Sequence, residues 1–465
     1  MMRMAGKKSV EIESVADSCL KIIREQAQGT QYSDCRVVCG KTFAATSSQG
    51  EEAATENEFF GVAFRALVNG NWGFASTNNP EKSSLSHCLQ SSVKLAKSGK
   101  GDAAIKEEHV PTYAKKFDLN GFDATYSLVI DDVYNIAKKA REIIESEKEV
   151  STGRVFLSAI AQERVVLNPY GLFAHEKLGR QRAFLEASAK RKGDTQSAHE
   201  SMGNVGNPSC FGQVEMLAPK CAKKAQKMLD ATLPPKGTFT VIVDGKMAGV
   251  LAHEAVGHAS EGDTVASGGS VLEGKLGKTI ANKNISISDS PAASGYGAYA
   301  FDDEGTLAGK TYIVKNGIFS GYLTSLETAA SLKAKPSGNC RAGGYSQFPI
   351  VRMSNTYIDA GNAGEQEVFD VKYGLYLKGM KGGSVDPVSG DYVFAADEGY
   401  IIENGQLGQL LRDCTLSGNV LVTLKNVEAV GKGFESSPGM CGKSGQSVPV
   451  CDGGPHIRIA KVTLG

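Results

Sequence analysis

The sequence predicts an α+β protein, in which an N-terminal domain of helix and sheet layers precedes a mainly β C-terminal domain that carries a helix with the sequence H-E-x-x-x-H. Three observations support this fold class. Several segments of the first half place apolar residues at helical spacing. Downstream of residue 285, short candidate strands alternate with Gly, Asn and Asp turns. The chain has 465 residues and 41% apolar content, which is enough for two or three buried cores.

The sequence also predicts where these domains divide. The N-terminal α+β domain is expected over residues 1–235, with sub-units at about 1–100 and 119–232, and the C-terminal domain over 236–465. The two are separated by Leu233-Pro234-Pro235-Lys236-Gly237. Proline and glycine punctuate local structure, so this stretch reads as a linker.

The first sub-unit begins with an amphipathic helix over residues 10–27, whose apolar side chains share one face. Cys35 to Cys39 is a strand candidate. Residues 61–68 lead into Asn69-Gly70 and a second extended run, and Asn-Gly between such runs is typical of a β-hairpin. Asn79 as N-cap and Pro80 as first helical residue then open a helix.

The second sub-unit has a longer series of elements. It is predicted to contain, in order, a helix over 123–148, strands over 154–160 and 163–167, a polar irregular stretch over 190–212 and a helix over 213–231.

The C-terminal domain opens with a strand over Phe239 to Val243, a turn at Asp244-Gly245 and a helix over 246–257. Turns such as those at Asn316-Gly317 and Asn404-Gly405 then separate short strands, which predicts a mainly β region with few helices. The strand-turn-helix unit matters because rigid elements hold ligand geometry better than loops do.

That helix carries the sequence H-E-x-x-x-H, in which His253 and His258 bracket Glu254. Two neutral imidazoles suit Zn²⁺ at an open site, and a neighbouring glutamate is placed to take a proton from a metal-bound water. On a regular α-helix, a spacing of five residues leaves the imidazoles about 140° apart, where they could not grip one ion. We therefore expect either a π-type turn or a break near Gly257.

Other polar residues around this motif have more than one interpretation. The motif itself could be a chance pairing of satisfied polar groups. Glu261 and Asp263 could supply an acceptor that orients a ligand imidazole, or could form a solvated turn. The pair His175-Glu176 has no second histidine within two turns and is interpreted as ordinary surface. Arg341 and Arg352 are candidate substrate clamps at the surface.

Composition excludes several classes of function. Lys+Arg and Asp+Glu both number 51, so zero net charge argues against nucleic acid or an anionic membrane as a partner. No apolar run approaches the ~20 residues that span a bilayer, and Met1 to Val10 precedes no apolar segment, so a cytoplasmic protein is expected. The ten cysteines form no C-x-x-C pair and are expected to be free thiols. No G-x-x-x-x-G-K-[ST] phosphate loop occurs.

Five blocks of the chain resemble the TldD/PmbA family of zinc peptidases, in the family's order. They are residues 61–77, residues 253–263 (His-Glu-Ala-Val-Gly-His-Ala-Ser-Glu-Gly-Asp), Asp302-Asp303-Glu304-Gly305-Thr306, Asn355-Thr356-Tyr357 and residues 439–450. The resemblance covers most of the chain. The segment 264–290 departs from it, which leaves the rim of the cleft undetermined.

The resemblance implies a ligand set and a partner. His253, His258 and Cys441 would hold Zn²⁺, and Glu254 would be the general base. Cys451 stands where the family usually has glycine and is not expected to be a ligand. The family pairs a catalytic type with a type that lacks the motif. This chain is similar to the catalytic type, as a homodimer or a heterodimer with a paralogue lacking H-E-x-x-x-H.

The sequence therefore predicts a metallopeptidase that hydrolyses short or unfolded peptides, with metal-activated water and Glu254 as general base. Two alternatives remain open. One is a non-catalytic protein-binding or regulatory subunit, in line with the family's association with DNA gyrase modulation. The other is a zinc amidohydrolase that acts on non-peptide substrates.

Overall fold

The protein is described by a computed structural model over residues 11–206 and 209–465. Its α-helices are α1 (Ile12–Gln26), α2 (Lys82–Lys97), α3 (Phe122–Tyr126), α4 (Ile130–Ser146), α5 (Ser209–Gly212), α6 (Val214–Met228), α7 (Gly245–Ala252), α8 (His258–Ser260), α9 (Gly262–Ala266), α10 (Leu326–Ser331), α11 (Glu365–Val368) and α12 (Val420–Lys425). A 3₁₀ turn spans Glu107–His109 and a π turn spans His253–Gly257. The expectation for Met1 to Val10 lies outside the described residues.

The strands of the N-terminal half form one seven-stranded sheet, with the order β3-β2-β1-β5-β6-β4 and with β7 beside β6. They are β1 (Tyr32–Ser48), β2 (Glu51–Val68), β3 (Asn71–Thr77), β4 (Ala114–Asp118), β5 (Val150–Leu167), β6 (Phe173–Arg191) and β7 (Asp194–Val205). The central strands are long and antiparallel, and β1 pairs with β2 on one side and β5 on the other.

The four long helices of this half cover one face of the sheet. Helices α1 and α2 pack over one end of the strands, around Cys35 and Val37, while α4 and α6 pack over the other end, around Phe43 and Ala45. These odd-numbered residues of β1 share a face because side chains alternate along a strand. Both cores are closely packed and apolar.

The opposite face of the same sheet carries buried arginines that meet acids of the C-terminal half. Arg65 pairs with Asp34 and, at 3.0 Å, with Glu304. Arg164 Nη1 lies 3.1 Å from Asp303 Oδ1. Paired and hydrogen-bonded charges of this kind are tolerated in an interior, and here they join the two halves of the chain.

The C-terminal half contains a six-stranded sheet, a nine-stranded sheet and a two-stranded ribbon, β12 with β13. Its strands are β8 (Gly237–Val243), β9 (Ile287–Asp289), β10 (Thr311–Lys315), β11 (Ile318–Phe319), β12 (Cys340–Arg341), β13 (Ile350–Val351), β14 (Asn355–Ile358), β15 (Tyr373–Lys378), β16 (Gly382–Val385), β17 (Asp391–Ala395), β18 (Glu398–Glu403), β19 (Gln406–Leu411), β20 (Thr415–Asn419), β21 (Val427–Val430), β22 (Glu435–Lys443), β23 (Gln446–Gly454) and β24 (Ile457–Leu464). One large apolar core contains α7 together with residues of both large sheets.

The predicted α+β fold class is confirmed, with a mainly β C-terminal region. The first helix and the hairpin at Asn69-Gly70 are confirmed, and both turn residues have positive φ, as a tight hairpin requires. The turns at Asn316-Gly317 and Asn404-Gly405 are also present, and each joins two antiparallel strands. The boundary at residue 235 stays a prediction. No helix of the described ranges is both long and apolar enough to cross a membrane.

Several predictions were wrong in detail. The helix expected from Asn79 and Pro80 begins at Lys82, and Asn79 instead accepts a hydrogen bond from the Glu81 amide. The helix expected over 123–148 is two helices, α3 and α4. The two strands expected over 154–167 are one continuous strand, β5.

The prediction that residues 190–212 are irregular was also wrong. This stretch contains strand β7 and helix α5. Residues 207 and 208, which the prediction also covered, lie outside the described residues. Lys192 and Gly193 have positive φ and form the turn that folds β7 back on β6. The sequence of β7 is polar and lacks the alternation of apolar and polar residues that predicts a strand. Pairing with its long neighbour β6 stabilises β7, rather than burial of an apolar face.

Candidate metal centre

The site is built on the strand-turn-helix unit of β8 and α7. Asp244 caps α7 by accepting a hydrogen bond from the Met247 amide at 2.9 Å. Two glycines let the helix pack directly on β23, since a Cβ at Gly245 would lie 2.1 Å from the Gly454 carbonyl oxygen and one at Gly249 would lie 2.1 Å from the Gly453 amide nitrogen. The end of α7 is thereby held against β23.

The predicted departure from α-helix is confirmed as a π turn over His253–Gly257. It brings the two imidazole rings to a centroid separation of 5.2 Å. Of the two alternatives, the break at Gly257 is wrong, because Gly257 keeps helical dihedral angles (φ −58°, ψ −60°). The glycine has a different role: a Cβ there would lie 2.0 Å from Met353 Sδ.

The structure brings His253, His258 and Cys441 together. One donor atom from each side chain lies within 4.8 Å of the others, and Cys441 Sγ is 3.5 Å from His258 Nε2. Cys441 is on β22 and lies 183 residues beyond His258 in sequence. Two imidazoles and a thiolate are a donor set that zinc prefers.

Each histidine is oriented by a carboxylate on its other ring nitrogen. His253 Nδ1 is 2.7 Å from Asp452 Oδ1, and His258 Nδ1 is 3.1 Å from Glu261 Oε2. Lys443 Nζ holds Glu261 at 2.9 Å and Asp263 at 2.7 Å. Carboxylates in these positions fix the tautomer and ring orientation of metal-binding histidines. Of the two interpretations of Glu261, the one that orients an imidazole is confirmed.

Asp452 was missed by sequence reasoning. It lies on β23, 199 residues beyond His253, and no feature of the sequence near the histidines points to it. The close packing of Gly249 on Gly453 places the two residues together. A search for carboxylates in the C-terminal block that contains Cys441 would have found it as one candidate among others.

The electrostatics of the cluster favour an ionised thiol. Burial alone would raise the pKa of Cys441, but hydrogen bonds and charge from His253 and His258 lower it to about 5. Burial would lower the pKa of His258, but Cys441 and Glu261 raise it to about 9, and Asp452 and Cys441 raise the pKa of His253 well above its ordinary value. Metal binding requires the thiolate, which is already favoured, and displaces the imidazole protons.

These residues fit a zinc ion. The Nδ1 atoms are engaged by carboxylates, so the Nε2 atoms remain to bind metal together with the Cys441 thiolate. Three protein donors in a tetrahedral site leave the fourth position for water or substrate. His253, His258 and Cys441 are the residues that would hold the ion.

Glu254 lies beside this cluster on a solvent-accessible cleft. Its side chain is 35% exposed, and its Oε2 is 3.9 Å from His258 Nε2. The cleft has a volume of about 280 Å³ and is lined by Glu254, His258, Glu261, Thr264, Val385, Pro387, Gly442 and Lys443. Thr264 is the part of the segment 264–290 that reaches this rim. Glu254 therefore shares this cleft with His258, one of the residues that would hold the ion.

The prediction that Arg341 and Arg352 lie at the surface was wrong, since both are buried, and their role as substrate clamps stays a prediction. Arg352 donates hydrogen bonds to the carbonyl oxygens of Cys441 and Gln446, so it positions the β22–β23 hairpin. Arg341 donates to the Pro449 carbonyl oxygen at 2.8 Å. Guanidinium groups suit this task because their fixed donors can satisfy several carbonyls at once.

The prediction of His175-Glu176 as ordinary surface was also wrong. Both are buried on β6, where His175 Nε2 is 2.7 Å from Glu163 Oε1 and Glu176 Oε2 is 2.8 Å from Arg164 Nε. Glu176 also accepts a hydrogen bond from the Ala300 amide at 2.6 Å. His175 faces the helix side of the sheet, with its Nδ1 3.2 Å from Glu13 Oε1 of α1, whereas Glu176 faces the C-terminal half; no local pattern reveals either contact.

All ten cysteines are free thiols, as predicted. Cys451 is buried on β23, burial raises the pKa of its thiol, and it is not part of the donor cluster. It stays a prediction that Cys441 alone among the cysteines binds metal.

Comparison with known proteins agrees with this geometry. Residues 236–465 match a family model described as the PmbA/TldA metallopeptidase C-terminal domain, and residues 51–96 match the model of domain 1 of the same family. A metalloprotease of Methanothermobacter thermautotrophicus is 36% identical over 464 residues, which covers 96% of this chain and 97% of that protein. The chain belongs to the PmbA/TldD metallopeptidase family.

Two further proteins are similar to this chain, one in sequence and one in fold. The zinc metalloprotease TldD homolog of Saccharolobus solfataricus is 27% identical over 453 residues, which covers 96% of this chain and 98% of that protein. The crystal structure of TldE from Thermococcus kodakarensis has a TM-score of 0.78 at 18% identity, covering 96% of this chain and all of that one. The latter likeness establishes the shared fold.

Proposed function

We propose that this protein is a zinc-dependent peptidase that cleaves short or unfolded peptides. The observation that carries the proposal is the convergence of His253, His258 and Cys441 beside Glu254, at a cleft open to solvent. The name of the Saccharolobus relative, a zinc metalloprotease, supports the choice of metal and reaction class.

Each residue of the site has a role in this proposal. Zinc, when bound, supplies a Lewis acid that polarises the peptide carbonyl and makes water easier to deprotonate. The Glu254 carboxylate accepts the proton of the attacking water and hands it to the departing amine nitrogen, which is the role of a general base and then a general acid. Asp452 and Glu261 keep the imidazoles oriented. The small cleft admits an extended chain more readily than a folded domain.

We also propose a dimer, with a second copy or with a paralogue that lacks H-E-x-x-x-H. The support is the fold shared with TldE of Thermococcus kodakarensis. Light scattering gives the mass of the purified chain alone and after a paralogue is added. A dimer mass for the chain alone indicates a homodimer, whereas a monomer that becomes a dimer only with the paralogue indicates a heterodimer.

The test of the peptidase combines metal analysis with one isosteric substitution. Elemental analysis should give about one zinc per chain, and a quenched fluorescent library of short peptides should be hydrolysed. Glu254→Gln should keep the zinc but reduce turnover by a factor of 10² or more, on the order of what general-base catalysis contributes. Glu142→Gln on the exposed surface of α4 is the matched control and should retain full turnover.

Two outcomes would contradict the proposal in different ways. Turnover that survives both chelation and Glu254→Gln would assign the chemistry to other residues. Bound zinc without hydrolysis of any peptide would favour the protein-binding alternative, while hydrolysis of non-peptide amides alone would favour the amidohydrolase.

A further inference from the structure

A second, larger cavity lies between the N-terminal sheet and the loop 341–346. Its volume is about 540 Å³, which is in the range of small-molecule binding sites. Part of its wall is apolar and consists of Val38, Phe59, Ile160 and Leu178. Gly343, Gly344 and Ser346 line it and are exposed, so the cavity opens to solvent.

The charged part of the wall is unbalanced. Four guanidinium groups and two carboxylates line the cavity: Arg36, Arg164, Arg180, Arg341, Glu176 and Asp303. All six are buried residues. The wall therefore carries an excess of two positive charges, and charge buried without a partner is costly.

Both carboxylates already form ion pairs with two of the four arginines. Arg36 Nη1 is 3.4 Å from Asp303 Oδ1, and Arg164 reaches both Glu176 and Asp303. Across the described ranges, neither Arg180 nor Arg341 forms an ion pair with a carboxylate. The hydrogen bonds of Arg341 go to the backbone carbonyls of Met353 and Pro449. The excess charge thus belongs to Arg180 and Arg341.

Arg180 is the more available of these two. It is 6% exposed, its Nη2 donates to the Ala298 carbonyl oxygen at 2.8 Å, and its Nε has no hydrogen-bond partner. Burial lowers the pKa of Arg180 to about 10. Buried polar groups are nearly always hydrogen-bonded, so a buried guanidinium that has an unpaired Nε and no carboxylate partner on a cavity wall points to a missing anionic partner.

We propose that this cavity binds a carboxylate of the peptide substrate, with Arg180 as the residue that recognises it and Arg341 adding positive charge. The inference rests on the proposed peptidase function. The β22–β23 hairpin borders both sites: Met440 lines the cavity on one side of the hairpin, and its neighbour Cys441 faces the imidazoles on the other side, because side chains alternate along a strand. The apolar wall accommodates the body of a residue whose carboxylate meets Arg180. The substrate class is therefore peptides with an acidic side chain or a free C-terminus.

The experiment measures binding separately from turnover. Three N-acetylated hexapeptides share one neutral core: the first ends in a free carboxylate, the second in an amide, and the third in an amide with one internal glutamate. Calorimetry on the zinc-loaded Glu254→Gln protein gives the three dissociation constants, and mass spectrometry of recovered peptide verifies that it is intact. Arg180→Gln is compared with Arg180→Lys and with Arg154→Gln, an exposed arginine on the same sheet.

At least one carboxylate peptide should bind roughly 10- to 100-fold more tightly than the neutral amide, as expected for hydrogen bonds to a charged group. Arg180→Gln should abolish that preference, Arg180→Lys should keep part of it, and Arg154→Gln should leave it unchanged. Whichever peptide is preferred identifies the source of the carboxylate.

Equal binding of all three peptides by the parent protein would overturn the inference, and this comparison does not depend on the folding of any variant. A preference that persists in folded Arg180→Gln would overturn it as well. Failure of the peptidase proposal has a different signature, namely selective binding of carboxylate peptides by a zinc-loaded native protein that hydrolyses none of them.

Discussion

Replacement of Asp452 is the sharpest test of how the fold prepares the metal centre. Its carboxylate accepts a hydrogen bond from His253 Nδ1 at 2.7 Å and is only 12% exposed, so solvent weakens the contact little. Asp452→Asn keeps an acceptor but removes the charge. Asp452→Ala removes both, and leaves the imidazole free to rotate or change tautomer.

The expected magnitudes follow from this contact. A hydrogen bond to a charged group contributes about 1.5–3 kcal/mol and a neutral one about 0.5–1.5 kcal/mol. Asp452→Asn should therefore cost about 1–1.5 kcal/mol of zinc-binding free energy, on the order of a tenfold weaker dissociation constant. Asp452→Ala should weaken it roughly 10- to 100-fold, the usual effect of losing such a partner.

Zinc affinity is measured by competition with a chromogenic chelator at constant pH. Asp413→Asn is the matched control, because that side chain is 55% exposed and distant in sequence from the ligands, and it should leave affinity unchanged. If Asp452→Ala bound zinc as tightly as the native protein, the role of Asp452 in orienting His253 would be refuted. If Asp452→Asn bound zinc more weakly than Asp452→Ala, the charge argument would be refuted.

Three further predictions concern other residues. Cys441→Ser should lose zinc, whereas Cys451→Ser should retain it, as elemental analysis would show; equal zinc content in both variants would remove Cys441 from the ligand set. Gly257→Ala should lower the free energy of unfolding by about 1–3 kcal/mol in urea, because its Cβ would overlap Met353 Sδ, and unchanged stability would contradict that packing argument. Burial would raise the pKa of Asp303, but two guanidinium groups lower it. The stabilisation of the folded protein by the ionised Asp303 carboxylate is therefore fully present above pH ~4 and is lost as the pH falls through the lowered pKa. The stability gap between native protein and Asp303→Asn should accordingly shrink in acid, and a gap that stayed constant from pH 7 to 3 would refute this.

Local sequence patterns were sufficient where the stabilising interactions are themselves local. The first helix follows from apolar spacing, and the hairpin at Asn69-Gly70 follows from residues that accept positive φ. The π turn belongs to the same class. Two histidines five residues apart could meet at one ion only if the helix between them departed from α geometry, and the structure has that departure.

The sequence by itself determined the α+β class, the helix that carries His253 and His258, and the need to distort it. Only the tertiary structure decided that Asp452 orients His253, that Glu176 is buried, and that Arg180 lies on a cavity wall with no carboxylate partner. The physical reason is that helix periodicity and turn dihedrals act over a few residues. Charge pairing and burial instead depend on which distant strands the fold brings within a few ångströms, as when Gly249 lets α7 lie directly on β23.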